Sequence, residues 1–251
     1  MPNLHAHIYL AQEAASRLGY RSIDAHLGSF FLGCTTPDIR VMTRGRREET
    51  HFSSISSEGL RSGIDGMFAA NPSLLDVQNL TEATKVFLCG YVSHLLADQT
   101  WIIKMYRPYF GNPKVFDDGV EGNIMDRALQ LELDRQGHER TDSFGTAITK
   151  LVGSSNGVEI GFIDSKVLFD WQERVSTVIE REFTWERLHF MARRAVADPE
   201  NSSVTGIVDR FIAGPLSGLD SIYKHIPEKH LEDYKEEVIR STMDFAEGYL
   251  T

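Results

Sequence analysis

An all-α fold is predicted by three observations. Apolar residues recur at helical spacing in nearly every segment of the 251 residues, convincing alternation of apolar and polar residues is nearly absent, and residues 87–101 form an apolar run with no polar face. That run should be a central helix buried nearly all round, because Phe87, Tyr91, Val92, Leu95, Leu96 and Ile102 surround the two polar side chains it carries, His94 and Asp98. The expected arrangement is one all-α domain over 1–251, with a chemically rich half at 1–136 and further helices at 158–251.

The first helix is expected from residue 7 to 18, where Ile8, Ala11, Ala14, Ala15 and Leu18 share a face and Gly19 supplies a stop. A second, over 22–32, carries Ile23, Leu27, Phe30 and Phe31 and breaks at Gly33. Pro37 cannot continue a helix, so Asp38 should sit on a turn. Residues 40–49 are polar and non-periodic and read as a mobile surface loop holding Arg44, Arg46 and Arg47. Helices follow at 58–68 and, after the Thr81-x-x-Thr84 start signature, from there to about 106. The next is expected over 117–134, with Ile124, Leu129 and Leu133 on its apolar face. Residues 153–157 are a loop, and helical patterns return at 165–182, 184–197, 204–225 and 227–249, punctuated by Pro199, Pro215 and Pro227.

A net charge of −10 argues against nucleic acid or an anionic membrane as a large-area partner, yet leaves room for one phosphate in a pocket. Only Cys34 and Cys89 occur, so a disulfide framework is not expected. The first residues lack the basic start of a secretion signal, and no uninterrupted apolar stretch reaches the length of about 20 that spans a bilayer. These readings give an expectation of a cytoplasmic protein with no transmembrane segment. Nothing in the sequence sets the oligomeric state.

The chemistry concentrates on the central helix. His94 and Asp98 are four residues apart, which stacks an imidazole and a carboxylate on successive turns. A carboxylate in so apolar a helix needs a neutralising partner, either a divalent metal or a hydrogen bond from the histidine itself. His7 at a helix start, Asp38 on the proline turn and His51 at the end of the arginine-rich segment extend the set. Taken singly, His7 could cap its helix, Asp38 could make an Asx-turn and His51 could be an exposed loop residue. Together, nitrogen and oxygen donors without cysteine suit zinc, or less selectively manganese or iron, at a catalytic site with open positions.

In order, His7 with Ala11, Phe30-Phe31-Leu32-Gly33…Pro37-Asp38-Ile39, Thr50-His51-Phe52 and Gly90-Tyr91-x-Ser93-His94-x-x-x-Asp98 resemble the zinc-dependent phospholipase C family, related in fold to the single-strand-specific zinc nucleases. The resemblance covers roughly the first hundred residues. It implies a multi-helix bundle around a metal-binding central helix and one or two zinc ions. In family terms Asp38, His51, His94 and Asp98 look like the ligands of one ion, with His7 part of a neighbouring site. The sequence departs from the secreted members in two ways: Met1 stands where they begin with tryptophan, and no histidine occurs between His94 and His138. Asp126 or the His138–Asp142 pair is then left to complete a second site, with Gly137 weakening a helical reading of the latter; His5 and His7 compete for the same role.

The expected activity is metal-dependent hydrolysis of a small phosphoester, with Asp38 as a ligand that also orients the attacking water and Arg44, Arg46 and Arg47 binding the phosphate. The same site also admits two alternatives, a hydrolase of an amide or carboxyl ester and a non-catalytic metal-binding or interaction protein.

Overall fold

The computed structural model describes residues 2–116, 118–140, 143–195 and 202–251. It is helical, with no strand among the described residues. The helices are α1 (Leu4–Leu18), α2 (Arg21–Ala25), α3 (Leu27–Thr35), α4 (Arg40–Thr43), α5 (Glu48–His51), α6 (Ser62–Ala70), α7 (Glu82–Thr100), α8 (Gly119–Arg140), α9 (Ser143–Leu151), α10 (Ser165–Ile179), α11 (Arg187–Ala195), α12 (Ser202–Ala213), α13 (Pro215–Tyr223) and α14 (Glu228–Leu250). A 3₁₀ turn at Thr36–Ile39 links α3 to α4.

The central helix α7 starts where the sequence signals it, with Thr81 Oγ1 accepting the Thr84 N–H at 3.0 Å. It is buried from Ala83 to Thr100 except at Lys85. Instead of ending near residue 106 it widens into a π-helical segment, Trp101–Phe110, that contains Pro108. This continuous helix, Glu82–Phe110, is long and apolar enough to cross a membrane by length and composition alone, and the apolar window that passes this test is 94% buried inside the protein, as in a core helix.

Helix α3 crosses α7 at backbone contact. A β-carbon on Gly33 would stand 2.0 Å from the Phe87 carbonyl oxygen, and one on Gly90 would stand 2.0 Å from that of Phe30. Only a pair of glycines permits this approach, and it carries α3 straight through Gly33 to Thr35 rather than breaking it there. Around the crossing lies one apolar core, containing Ile8, Phe30, Phe31, Val92, Leu151 and Trp171. A second core, containing Trp101, Leu129, Leu188, Val208, Ile222 and Val238, is built by α8 and α11–α14 on the other side of α1 and the end of α7. Both draw on α14, whose Ala246 and Tyr249 join the first and whose Tyr234 and Val238 join the second; the Tyr234 hydroxyl also donates to the Ala97 carbonyl at 3.2 Å.

Several boundaries differ from expectation. The helix expected over 22–32 is two, α2 and α3, turning at His26, where no glycine or proline marks the break. The segment 40–49, expected to be a mobile loop, has helical turns at both ends, α4 and α5. The helix expected over 58–68 begins only at Ser62. Helix α8 runs through Gly137 to Arg140, and α9 was not anticipated at all. The pattern over 204–225 is cut by Pro215 into α12 and α13. Asp117, Asp142, Ala197 and Pro199 lie outside the described residues.

Candidate metal centre

The glycine crossing sets the first member of the site. Because α3 lies so close to α7, the Cys34 carbonyl at its end reaches His94 Nδ1 at 2.8 Å. A carbonyl can only accept, so Nδ1 carries the proton and the His94 Nε2 lone pair points away from α3. His51 is fixed in the same way from another direction. The Thr50 hydroxyl donates to the Pro37 carbonyl at 2.7 Å and so accepts from His51 Nδ1 at 3.2 Å. The Tyr91 hydroxyl donates to the Thr50 carbonyl, tying this turn to α7. Directly after His51, Phe52 takes a left-handed backbone (φ 53°), locked by the rings of Tyr91 and Phe162.

With both Nδ1 atoms occupied, the Nε2 atoms of His51 and His94 face each other 3.3 Å apart. Asp98 Oδ2 stands 3.2 Å from His51 Nε2 and 3.7 Å from His94 Nε2, and Asp38 Oδ1 stands 3.9 Å from His51 Nε2. The ring of His7 stacks on that of His94 with centroids 3.7 Å apart, its Nε2 lying 3.6 Å from Asp98 Oδ1. Two lone-pair nitrogens and two carboxylates cannot converge on one buried spot without a cation or proton between them. Neither ring nitrogen of His7 nor Asp98 Oδ1 has a hydrogen-bond partner among the described residues. Donor atoms of His7, His94 and Asp98, and likewise of Asp38, His51 and His94, lie within 4.8 Å of one another. This donor set fits a zinc ion in type and in reach.

Burial, with the His7 and His51 rings alongside, holds His94 well below the ordinary imidazole range, so it stays neutral. Burial alone would push Asp98 up, but His94, His51, His7 and the Arg47 guanidinium outweigh it and keep its carboxyl well below the usual range. Arg47 donates to Asp98 Oδ2 at 2.9 Å and is itself buried.

The five residues singled out as ligands are thus brought together, and four are buried: His51 is not an exposed loop histidine, and His7 does not cap α1. The fifth, Asp38, is the half-exposed one, with 22% of its side chain accessible, and it lines a cleft of about 300 Å³. A larger cavity, about 470 Å³ between α8, α12 and α13, touches none of the five. The three arginines of 40–49 do not form one patch, since Arg47 turns inward to Asp98 while Arg46 points out and pairs with Glu49 at 3.1 Å. Arg44 is exposed on a left-handed turn.

Neither candidate for a further site joins the cluster among the described residues. Asp126 accepts from Trp101 Nε1 and Gln130 Nε2, both at 2.8 Å, and the His138 ring lies 5.0 Å from that of His5. His7 rather than His5 faces the centre. Asp134 of α8 sets this, accepting from the Ala6 N–H and from Asn3 Nδ2, both at 3.1 Å, and pairing with Arg187 at 3.2 Å, so the first turn of α1 is held against α8 and α11. Sequence spacing gave no sign of that clamp.

Residues 6–119 match the family model described as zinc dependent phospholipase C. This N-terminal segment is similar to the zinc-dependent phospholipase C family. No curated protein and no solved structure matches the chain. The matched segment contains all five donor residues and ends where α8 begins, and the match supports zinc as the metal and a phospholipase-like hydrolase as the class.

Proposed function

We propose that the protein is a zinc-dependent hydrolase of small phosphoesters, with His7, Asp38, His51, His94 and Asp98 holding one or two ions. The observation that carries this reading is that a buried convergence of donor atoms has one half-exposed member, Asp38, opening on a cleft. When bound, zinc supplies Lewis acidity toward a phosphoryl oxygen and toward the attacking water. The chain's own residues do the rest. Asp38 accepts a hydrogen bond from water at the mouth of the cleft and orients it toward phosphorus. The new bond joins water oxygen to phosphorus, the ester P–O bond breaks, and the proton released from water ends on the departing alkoxide.

The charge balance favours a phosphoester over an amide or carboxyl ester. A divalent ion offsets the carboxylates of Asp38 and Asp98, leaving the positive charge of Arg47 uncompensated. Its Nε and Nη1 are buried with no hydrogen-bond partner among the described residues, which suits an anionic phosphoryl group and leaves a neutral carbonyl substrate without use for them. The buried thiols of Cys34 and Cys89 suit a reducing, cytoplasmic setting.

The test is elemental analysis of the purified chain with a hydrolysis screen on bis(p-nitrophenyl) phosphate and p-nitrophenyl phosphate. At least about one zinc equivalent and chelator-sensitive release of p-nitrophenol are expected. Asp38→Asn should keep most of the metal and lose most of kcat. Metal far below one equivalent after reconstitution, or a loaded protein inert toward both esters, would overturn the proposal.

A further inference from the structure

The cleft beside Asp38 is lined by three arginines, Arg40, Arg127 and Arg194, each from a different helix. Asp38 is the one acidic residue among the described residues of its wall. In a chain of net charge −10 this is a concentrated positive site. The guanidinium groups are only partly occupied. Arg40 Nε is buried without a hydrogen-bond partner among the described residues. Arg194 lies over the ring of Phe190, 5.4 Å from its centroid, which holds the group by its face and leaves its N–H edge free to donate. Arg127 spends Nη1 on Gln130 Oε1 at 2.8 Å and lies 3.9 Å from Asp126, so it is the most firmly oriented of the three.

Resting on the phosphoesterase reading above, we infer that this cleft selects phosphoesters that carry a second phosphate group a few bonds from the scissile phosphorus, held by Arg40, Arg127 and Arg194. A scissile phosphoryl at the centre would meet Asp38 and Arg47 and has no need of three further cations. Forked donors converging from three helices match the several oxygens of a terminal phosphate better than a carboxylate or a neutral headgroup. Two of the three, Arg127 on α8 and Arg194 on α11, lie beyond the segment 6–119 that matches the family. The choice of substrate therefore draws in part on the region of the chain that the family match does not cover.

A matched pair of esters tests this: 3-phosphopropyl p-nitrophenyl phosphate, and 3-hydroxypropyl p-nitrophenyl phosphate, which lacks only the terminal phosphate. The zinc-loaded full chain should prefer the first in kcat/KM by about tenfold or more, and the preference should collapse toward parity in Arg127→Gln/Arg194→Gln. Calorimetric titration with propane-1,3-diyl bisphosphate reads the same cleft without turnover; binding should be seen with the wild-type chain and be lost in the double variant. Should the double variant not fold, Arg194→Gln alone decides, since its side chain is exposed, and it should still lower both the preference and the bisphosphate affinity. Equal kcat/KM for the two esters, or a preference and a binding constant unmoved by the substitutions, overturns the inference while leaving the phosphoesterase reading intact. Arginine-dependent bisphosphate binding by a chain that hydrolyses neither ester upholds the cleft and removes the phosphoesterase reading.

Discussion

The α3–α7 crossing and the packing of α8 with α11–α14 are both buried, but they are held by different things. At the crossing the backbones themselves touch, through Gly33 and Gly90, and the Cys34 carbonyl at the end of α3 meets His94 of the buried imidazole and carboxylate cluster. In the second core the contact is between apolar side chains such as Leu188, Val208 and Ile222, whose volumes can be exchanged against one another. The first arrangement has no slack, because a carbonyl oxygen cannot rotate away as a leucine methyl can. It is also what a metal centre requires, since His94 is aimed by a backbone carbonyl whose position the glycines fix. The second arrangement tolerates drift, and it forms the wall on which two of the cleft arginines stand.

The sharpest way to break this contrast is at Gly90. Gly90→Val places atoms where the Phe30 carbonyl already is, and a loss of more than about 5 kcal/mol is expected, enough to unfold a domain of ordinary stability. A folded variant by circular dichroism, with normal zinc content, would show that the crossing has give. Next comes Asp98→Ala, which strands the Arg47 charge among three histidines. In the metal-free protein it should cost about 3–5 kcal/mol by urea unfolding.

Thr50→Val removes the hydroxyl that accepts from His51 and donates to Pro37. A loss of about 1–3 kcal/mol and a 10–100-fold weaker zinc affinity are expected, measured by unfolding and by competition with a chromogenic chelator. The smallest effect belongs to the second core, where Ile222→Val should cost about 0.5–1.5 kcal/mol and leave zinc affinity unchanged. A change in zinc affinity there would mean the two regions are mechanically coupled and the contrast is overdrawn.

What could be read in the sequence divides along the same line. The helical class, the Thr81 start of α7, the turn at Pro37 and the pairing of His94 with Asp98 are local, each written within a few residues. Features that depend on a distant partner were not legible. Arg44, Arg46 and Arg47 are the same residue type in one short segment, and only the position of Asp98 decides that Arg47 turns inward. Gly33 reads locally as a helix break, yet Phe87 and Tyr91 on α7 make it an interior helix position. The bend at His26 carries no breaker residue, and α9, with Gly145 near its start, has too weak a pattern to stand out. The cleft unites residues from the chain's start to α11, a spacing no motif records.

The hydrogen bond from the Thr50 hydroxyl to the Pro37 carbonyl has a consequence for how this scaffold can vary. It pins together Pro37 and Thr50, each the residue immediately before one of the two donors, Asp38 and His51, so the segment between them is a closed loop hung from a fixed base. The entropy of closing such a loop grows only slowly with its length, by about 0.6 kcal/mol per doubling. Residues inserted at its exposed tip, around Arg44 and Gly45, would lengthen the loop without shifting Asp38 relative to His51, provided Arg47 stays in register with Asp98. The tip is thus a place where the chain can acquire new contacts while the two donors at its base stay where they are.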